Sequence, residues 1–376
     1  MTTTKRLFRV AIVHDALLYK GGAERVLWVL LRKFPSADVY TSFFAPSLRD
    51  EVQHLTGGRV FVSPFDRLPL ARRFADWFKL PLFYYWESLD LSSYDLIISS
   101  SHSFSAKSIM APAGTVHISY VHTSPRYLYD EYNETRWIRN PVVQTLLRPV
   151  FSWMRRKDYA AAQRPNILTA NSKTVQQRIK RYYDRDSVVI YPPIRTPPKA
   201  VLNDRKPTYF LCVSRLVKQK GIDLAVRTCA TLNLPLVVVG VGPQEKYLRS
   251  ISGPTVKFLG FISDDKMANV YCKARALLYC ARDEDFGMVP AEAMAHGVPV
   301  IAYNSGGVRE TVIDRKTGVL FDDHTVESFI GAVKSFESLR FSKKFLLAHA
   351  RQFSEERFMR EFRRTVDRSF QDRHKQ

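Results

Sequence analysis

Cysteine is scarce: Cys212, Cys229, Cys272 and Cys280 are the four in 376 residues, all in the second half. None stands in a Cys-x-x-Cys pair or beside a histidine at metal-ligand spacing. That argues against a disulfide framework or a zinc module and for reduced core thiols. Long apolar runs are also missing. No stretch approaches the roughly 18–20 uninterrupted apolar residues of a membrane span. Met1 to Arg6 lead straight into a strand-like segment, without the apolar core and small-residue cleavage site of a signal peptide. These absences point to a cytoplasmic protein. Low-complexity tracts and repeats of 20–50 residues are absent too. There is no Gly-x-Gly-x-x-Gly fingerprint and no Walker A lysine loop, which argues against dinucleotide and ATP readings.

What is present is an ordinary globular composition, 45% apolar and 25% charged, in a chain long enough for two domains. The charge is not ordinary. Lysine and arginine number 57 against 36 acids, a formal net charge of +21. The excess is densest from Arg155 to Arg181, where Arg155, Arg156, Lys157, Arg164, Lys173, Arg178, Lys180 and Arg181 face only Asp158 in sequence. Such a surface attracts polyanions: nucleic acid, an anionic membrane or phosphorylated substrates. Charge alone does not choose among them.

Short apolar runs alternate with helical patterns along the chain. Phe8–His14, Leu96–Ser99, Val116–Val121 and Ile167–Ala170 are near-continuously apolar, as strands covered on both faces are. Four prolines between Pro192 and Pro198 make a stiff connector. The pattern then restarts at Tyr209–Val213 and continues through Gly318–Phe321. The expectation is an α/β protein of two Rossmann-like domains facing across a cleft. Residues 1–195 form the first, residues 196–352 the second, and residues 353–376 a helix packing back on the first. In that helix Phe358, Phe362, Val366 and Phe370 make one apolar stripe.

The strongest chemical signal is the run from Glu284 to Gly297. It reads as a loop after a strand, then a helix starting near Val289 or Pro290. Gly287 permits close backbone approach, and a helix N-terminus attracts anions. Glu284 and Glu292, eight residues apart, suit hydroxyls of a ribose or sugar; the spacing fits a capping loop equally well. Arg215 and Lys220 follow the Tyr209–Val213 strand, one a rigid fork for phosphate and the other a point charge. Gly21-Gly22-Ala23-Glu24 opens the first helix, which by itself reads as a turn. His122 ends a strand. His102, Arg126 and Asp15 stand near other strand ends as acceptor contacts or supports.

The Glu-x7-Glu pattern with Phe286-Gly287 resembles retaining glycosyltransferases of the GT-B fold, family 4 type. Ser214–Gly221, the Gly21-Gly22 loop and Tyr120–Tyr127 fall in the order of that family's other signatures, so the resemblance spans almost the whole chain. It implies a nucleotide-diphosphate-sugar donor held mainly by the second domain. Arg215 and Lys220 would grip the diphosphate, with Gly21 and Gly22 over it. Phe286, Gly287, Met288, Val289 and Glu292 would line the donor site, and Phe261 and Ile262 would hold the base. Glu284 and His122 would meet the transferred sugar. No metal is expected, because two cationic side chains and a helix dipole are available and no Asp-x-Asp motif occurs; no cofactor beyond the donor is expected.

The opening His14-Asp15 with Gly21–Leu27 resembles bacterial mannosyltransferases of surface polysaccharide assembly, making GDP-mannose the first donor to consider and a UDP-hexose the second. Arg67–Trp86 and Trp137–Lys157 mix basic and aromatic residues in a manner suited to a bilayer interface. The same pattern fits a core-facing helix with a solvated basic face; on the membrane reading the protein is peripheral on the inner membrane face and meets a lipid-linked saccharide acceptor there. Other classes weighed are a GT-B epimerase or phosphorylase and, least, a basic nucleic-acid-binding protein; no RNA-reading motif is present.

Overall fold

The computed structural model describes residues 8–103, 105–129, 141–197 and 207–373. Met1–Arg6, the front of the Trp137–Lys157 segment and Pro198 of the connector lie outside them. The chain divides into two compact units. One runs to Pro193 and takes in the chain again from Phe358; the other is Ile194–Arg357.

In the first unit the described strands are β1 (Val10–His14), β2 (Asp38–Thr41), β3 (Val60–Val62), β4 (Leu96–Ser101), β5 (Val116–Val121), β6 (Ile167–Ala170) and β7 (Val188–Val189). All pair in parallel, in the order β3-β2-β1-β4-β5-β6-β7. Every residue of β1, β2, β4 and β5 is buried, the polar Asp38, Ser99, Ser100, Ser101 and His117 included, as strands covered on both faces are. The edge strand β3 is only half-buried. The helix Gly22–Lys33 covers one face with Val26, Leu27, Val29, Leu30 and Leu31. Phe358, Phe362 and Val366 of the final helix, Glu355–Arg373, join the same core beside Val10, Ile12 and Tyr120. A four-residue apolar period on a helix makes one such stripe.

The second unit repeats the plan. Its described strands are β8 (Tyr209–Val213), β9 (Leu236–Val239), β10 (Val256–Gly260), β11 (Ala274–Tyr279), β12 (Val300–Tyr303) and β13 (Gly318–Phe321). They are parallel in the order β10-β9-β8-β11-β12-β13. In both units the order reverses between the first and fourth strands, β1/β4 and β8/β11. Open α/β sheets bind ligands beyond the carboxyl ends of the strands at such a point, because the connections there leave to opposite faces.

Candidate functional site

In the second unit, the loops after β8 and β11 meet at this reversal. Lys220 ends a short 3₁₀ turn, Lys218–Lys220, after β8. Glu284 lies five residues beyond β11. The Lys220 ammonium donates to both carboxylate oxygens of Glu284, at 2.9 and 2.6 Å. The Tyr279 hydroxyl donates to Glu284 Oε2 at 2.7 Å. Burial and then the nearby carboxylate push the Tyr279 phenol well above its ordinary pKa, so it stays a donor. The two residues read separately from sequence thus form one partly exposed ion pair, anchored from beneath by a buried tyrosine.

The backbone of Glu284 is fixed by the next loop. Gly307 N–H donates to the Glu284 carbonyl at 2.7 Å. A Cβ on Gly306, whose φ is +58°, would lie 2.3 Å from that same oxygen. Only glycine permits this approach. Gly287, at φ +89°, precedes the helix Met288–Ala295, one residue earlier than the sequence pattern indicated. Met288 and Val289 are half-buried in its first turn, and Glu292 is half-buried one turn on. The Phe286 side chain is buried edge-on against Phe353, ring centres 5.2 Å apart. Arg215 lies in the loop directly after β8, and that loop is tied to the next one: Leu216 N–H donates to Val241 O at 3.0 Å. Phe261 is 77% exposed and, with Ile262, Ser263 and Lys266, lines an open groove of about 600 Å³ just past β10.

In the first unit, the corresponding strand ends gather buried polar groups. His14 on β1 is level with Ser100 on β4, and Ser100 is level with Tyr120 on β5. His122, two residues past Tyr120, faces the same way. The result is a continuous contact: His14 Nδ1 to Ser100 Oγ at 2.9 Å, and Ser100 Oγ to His122 Nε2 at 2.8 Å. The His122 carbonyl accepts from Asn171 Nδ2 at 2.8 Å. Burial holds the His122 imidazole well below its ordinary pKa, so it is neutral near pH 7. Asp15 is a support: its carboxylate accepts the backbone N–H groups of His102, Ser103 and Ala106 at 2.6–2.7 Å. That pins the loop carrying half-buried His102. Arg126 sits half-buried in the 3₁₀ turn Arg126–Leu128 after β5. Gly21 and Gly22 open the helix Gly22–Lys33, and Glu24 in its first turn is buried. Sequence reading missed Glu24 and Ser100 as members of this cluster. Ligand-type atoms of His14, Glu24 and His102 all lie within 4.8 Å of one another.

The basic-aromatic segments divide between core and surface. Of Arg67–Trp86, Phe83 and Trp86 are buried, while Phe74, Trp77 and Tyr84 are exposed, Trp77 by 82%. Tyr84 stacks on Trp153 of the long helix Pro141–Gln163, joining the two segments. The dense basic run is less free than its sequence suggests. Lys157 and Arg164 both bind Glu87, at 3.1 and 2.6 Å, some 70 residues away in the chain. Asp158 is not their partner but is buried against Lys107. No helix among the described residues is long and apolar enough to cross a membrane.

Twin parallel sheets, each with one strand-order reversal and with the Lys220–Glu284 pair at the second of these, define an α/β protein of two Rossmann-like units. Residues 20–197 match the family model described as Glycosyltransferase Family 4, and residues 194–356 match Glycosyl transferases group 1. Together with the structural neighbours, these matches place the chain among the GT-B glycosyltransferases of family 4 type. It is 35% identical over 140 residues to the GDP-mannose-dependent alpha-(1-6)-phosphatidylinositol monomannoside mannosyltransferase of Mycobacterium tuberculosis, covering 33% of this chain and 36% of that protein. It is 32% identical over 176 residues to the glycogen synthase of Thermus caldophilus, covering 44% and 40%. The chain thus spans well under half the length of these two relatives. Among solved structures, HepE of Anabaena in complex with UDP and glucose shares the fold at TM-score 0.70 and 18% identity, over 95% of this chain and 99% of that one.

Proposed function

We propose that the protein transfers a hexosyl group from a nucleoside-diphosphate sugar to a lipid-linked saccharide, with retention of configuration. The Lys220–Glu284 pair at the β8/β11 reversal carries this reading. The leaving diphosphate gains negative charge as the sugar departs. Arg215, Lys220 and the free N–H groups at the start of the helix Met288–Ala295 meet that charge, stabilising the transition state more than the ground state. Glu284 holds the ammonium in place and orients the sugar; it does not attack it. The protein's own cations do the neutralising, and no metal is assigned to it. The first unit is assigned the acceptor, and His122 is its sugar-hydroxyl contact by the family resemblance alone.

GDP-mannose is the favoured donor, supported by the name of the mycobacterial relative, a GDP-mannose-dependent mannosyltransferase. A UDP-hexose is the second reading, supported by the UDP-bound neighbour. Calorimetric titration with GDP, UDP, ADP and TDP separates them. The preferred nucleotide should bind at least tenfold more tightly than the others, and the matching labelled sugar should pass to a polyprenyl-linked acceptor with its anomeric configuration kept. Binding of none of the four would end this account.

The acceptor reading implies docking on the inner membrane face. Leu68, Leu70, Phe74, Trp77, Leu80 and Tyr84 are all exposed within seventeen residues, with Arg73 among them and Arg67 just before. Leu70 is also held at φ +57°, an unfavourable backbone for a branched residue. Strain kept at the tip of an exposed apolar loop suits a segment with a partner surface.

A further inference from the structure

The first unit holds a cluster of metal-ligand groups that the proposed transfer does not use. His14 ends β1, Glu24 lies in the first turn of the helix Gly22–Lys33, and His102 follows β4. They meet at the β1/β4 reversal, where one ligand atom of each lies within 4.8 Å of the other two. His14 and Glu24 are buried and His102 is half-buried. Although the His14 ring is shut off from solvent, its Nε2 makes no hydrogen bond. It faces Glu24 Oε1 across 3.7 Å.

That gap is informative. Burial opposes ionisation of Glu24, yet attraction to His14, and more weakly to His102, holds its carboxyl below the usual range. A buried carboxylate of this kind calls for positive charge beside it. An imidazolium N–H would close on the carboxylate to about 2.7–2.9 Å. A shared ion sets the two apart instead: metal bonds of about 2.0–2.2 Å at tetrahedral angles leave neighbouring ligand atoms roughly 3.3–3.6 Å from one another. The His14–Glu24 separation is near that spacing, and His102, carried on a loop, is the member with room to close.

The groups behind the ligands suit a metal too. A ligating imidazole bonds through its second nitrogen to an outer partner that fixes the ring. His14 Nδ1 has Ser100 Oγ at 2.9 Å, and His102 Nδ1 has Asp15 Oδ2 at 3.5 Å. Gly21 makes room for the carboxylate, since a Cβ there would lie 2.8 Å from Glu24 Oε2. We propose that His14 Nε2, a carboxylate oxygen of Glu24 and a ring nitrogen of His102 bind one zinc ion. Two imidazoles and a carboxylate are a zinc donor set, and three protein ligands leave a fourth position for water or a substrate oxygen. The site belongs to the first unit, and the charge neutralisation assigned to Arg215 and Lys220 stands without it.

The test uses untagged full-length protein and the metal alone. As purified, the protein should carry one equivalent of zinc by atomic emission. Stripped with a chelator, it should take zinc back at one site with Kd below about 1 μM by calorimetry. Cobalt(II) in its place should give the visible d–d absorption of a four-coordinate nitrogen-and-oxygen site. Ser100→Ala removes only an outer partner and should weaken zinc by roughly 10–100-fold. His102→Ala and Glu24→Gln each remove a ligand; they should weaken it further and abolish the cobalt spectrum. His54→Ala, at an exposed histidine of another helix, should change nothing. Undiminished binding in folded His102→Ala and Glu24→Gln, or no stoichiometric zinc in the wild type, would overturn the proposal; in the second case the charge facing Glu24 is a proton on His14. Because His102 is half-buried, its variant decides the matter even where Glu24→Gln does not fold. The readout is metal, not turnover, so zinc binding by a chain that takes no nucleotide would keep this site and remove the proposed transfer.

Discussion

Single residues in this protein are expensive where charge is buried. Lys107 and Asp158 form an ion pair shut off from solvent, and Asp158 Oδ2 also accepts from the hydroxyls of Tyr129 and Tyr183, at 3.0 and 2.8 Å. Every acceptor position in use is filled, so the pair is tolerated. Asp158→Ala would strand the Lys107 ammonium and should cost about 3–5 kcal/mol in urea unfolding, as broken buried pairs do. Lys220 stands at the other extreme. It is partly exposed and its ion pair adds little to stability, so Lys220→Ala should leave the unfolding midpoint nearly unchanged. If Lys220 meets the leaving group, turnover in the same variant should fall roughly 10²–10³-fold, the effect of losing one transition-state donor. Steady-state kinetics beside a melting curve separates the two effects.

At the scale of elements, the strands were legible because parallel strands covered on both faces are mostly apolar, a pattern that needs no partner to be seen. The Glu284–Gly297 loop and helix were legible for a related reason: glycine, proline and carboxylates at fixed local spacing. What was illegible depends on register. His14 and Ser100 are 86 residues apart and meet only because β1 and β4 align them. Lys157 and Arg164 looked like free positive charge because Glu87 lies in another element. The packing of Phe286 on Phe353 was equally invisible, because the two are 67 residues apart in the chain. The final helix offers a test of packing: Phe362 is fully buried, and Phe362→Ala should destabilise the protein by about 3–5 kcal/mol. The exposed loop offers another. Trp77→Ser with Leu70→Asp should abolish co-sedimentation with vesicles containing anionic lipid while leaving soluble-donor binding intact; unchanged sedimentation would remove the membrane reading.

For the molecule as a whole, buried histidines set the acid limit of stability. Burial pulls His117 down to about 3 and His296 down to about 4, and holds His122 well below its ordinary value. In the unfolded chain each titrates near 6.5. The unfolded state therefore takes up protons first, and stability, full above about pH 6.5, falls as pH drops toward the folded values. Each such histidine contributes a slope of about 1.4 kcal/mol per pH unit. The depressed carboxyl of Glu24 acts in the same direction at lower pH. The urea midpoint should be clearly lower at pH 5 than at pH 7, and His117→Asn should flatten that dependence.

The first unit draws its own floor from far along the chain: Phe358, Phe362 and Val366 complete a core begun by Val10 and Ile12. During translation, nearly two hundred residues of that unit leave the ribosome without the helix that seals them. The second unit can close meanwhile, since Ile194–Arg357 is contiguous. The first must wait with apolar surface uncovered, the condition in which nascent chains engage chaperones or aggregate.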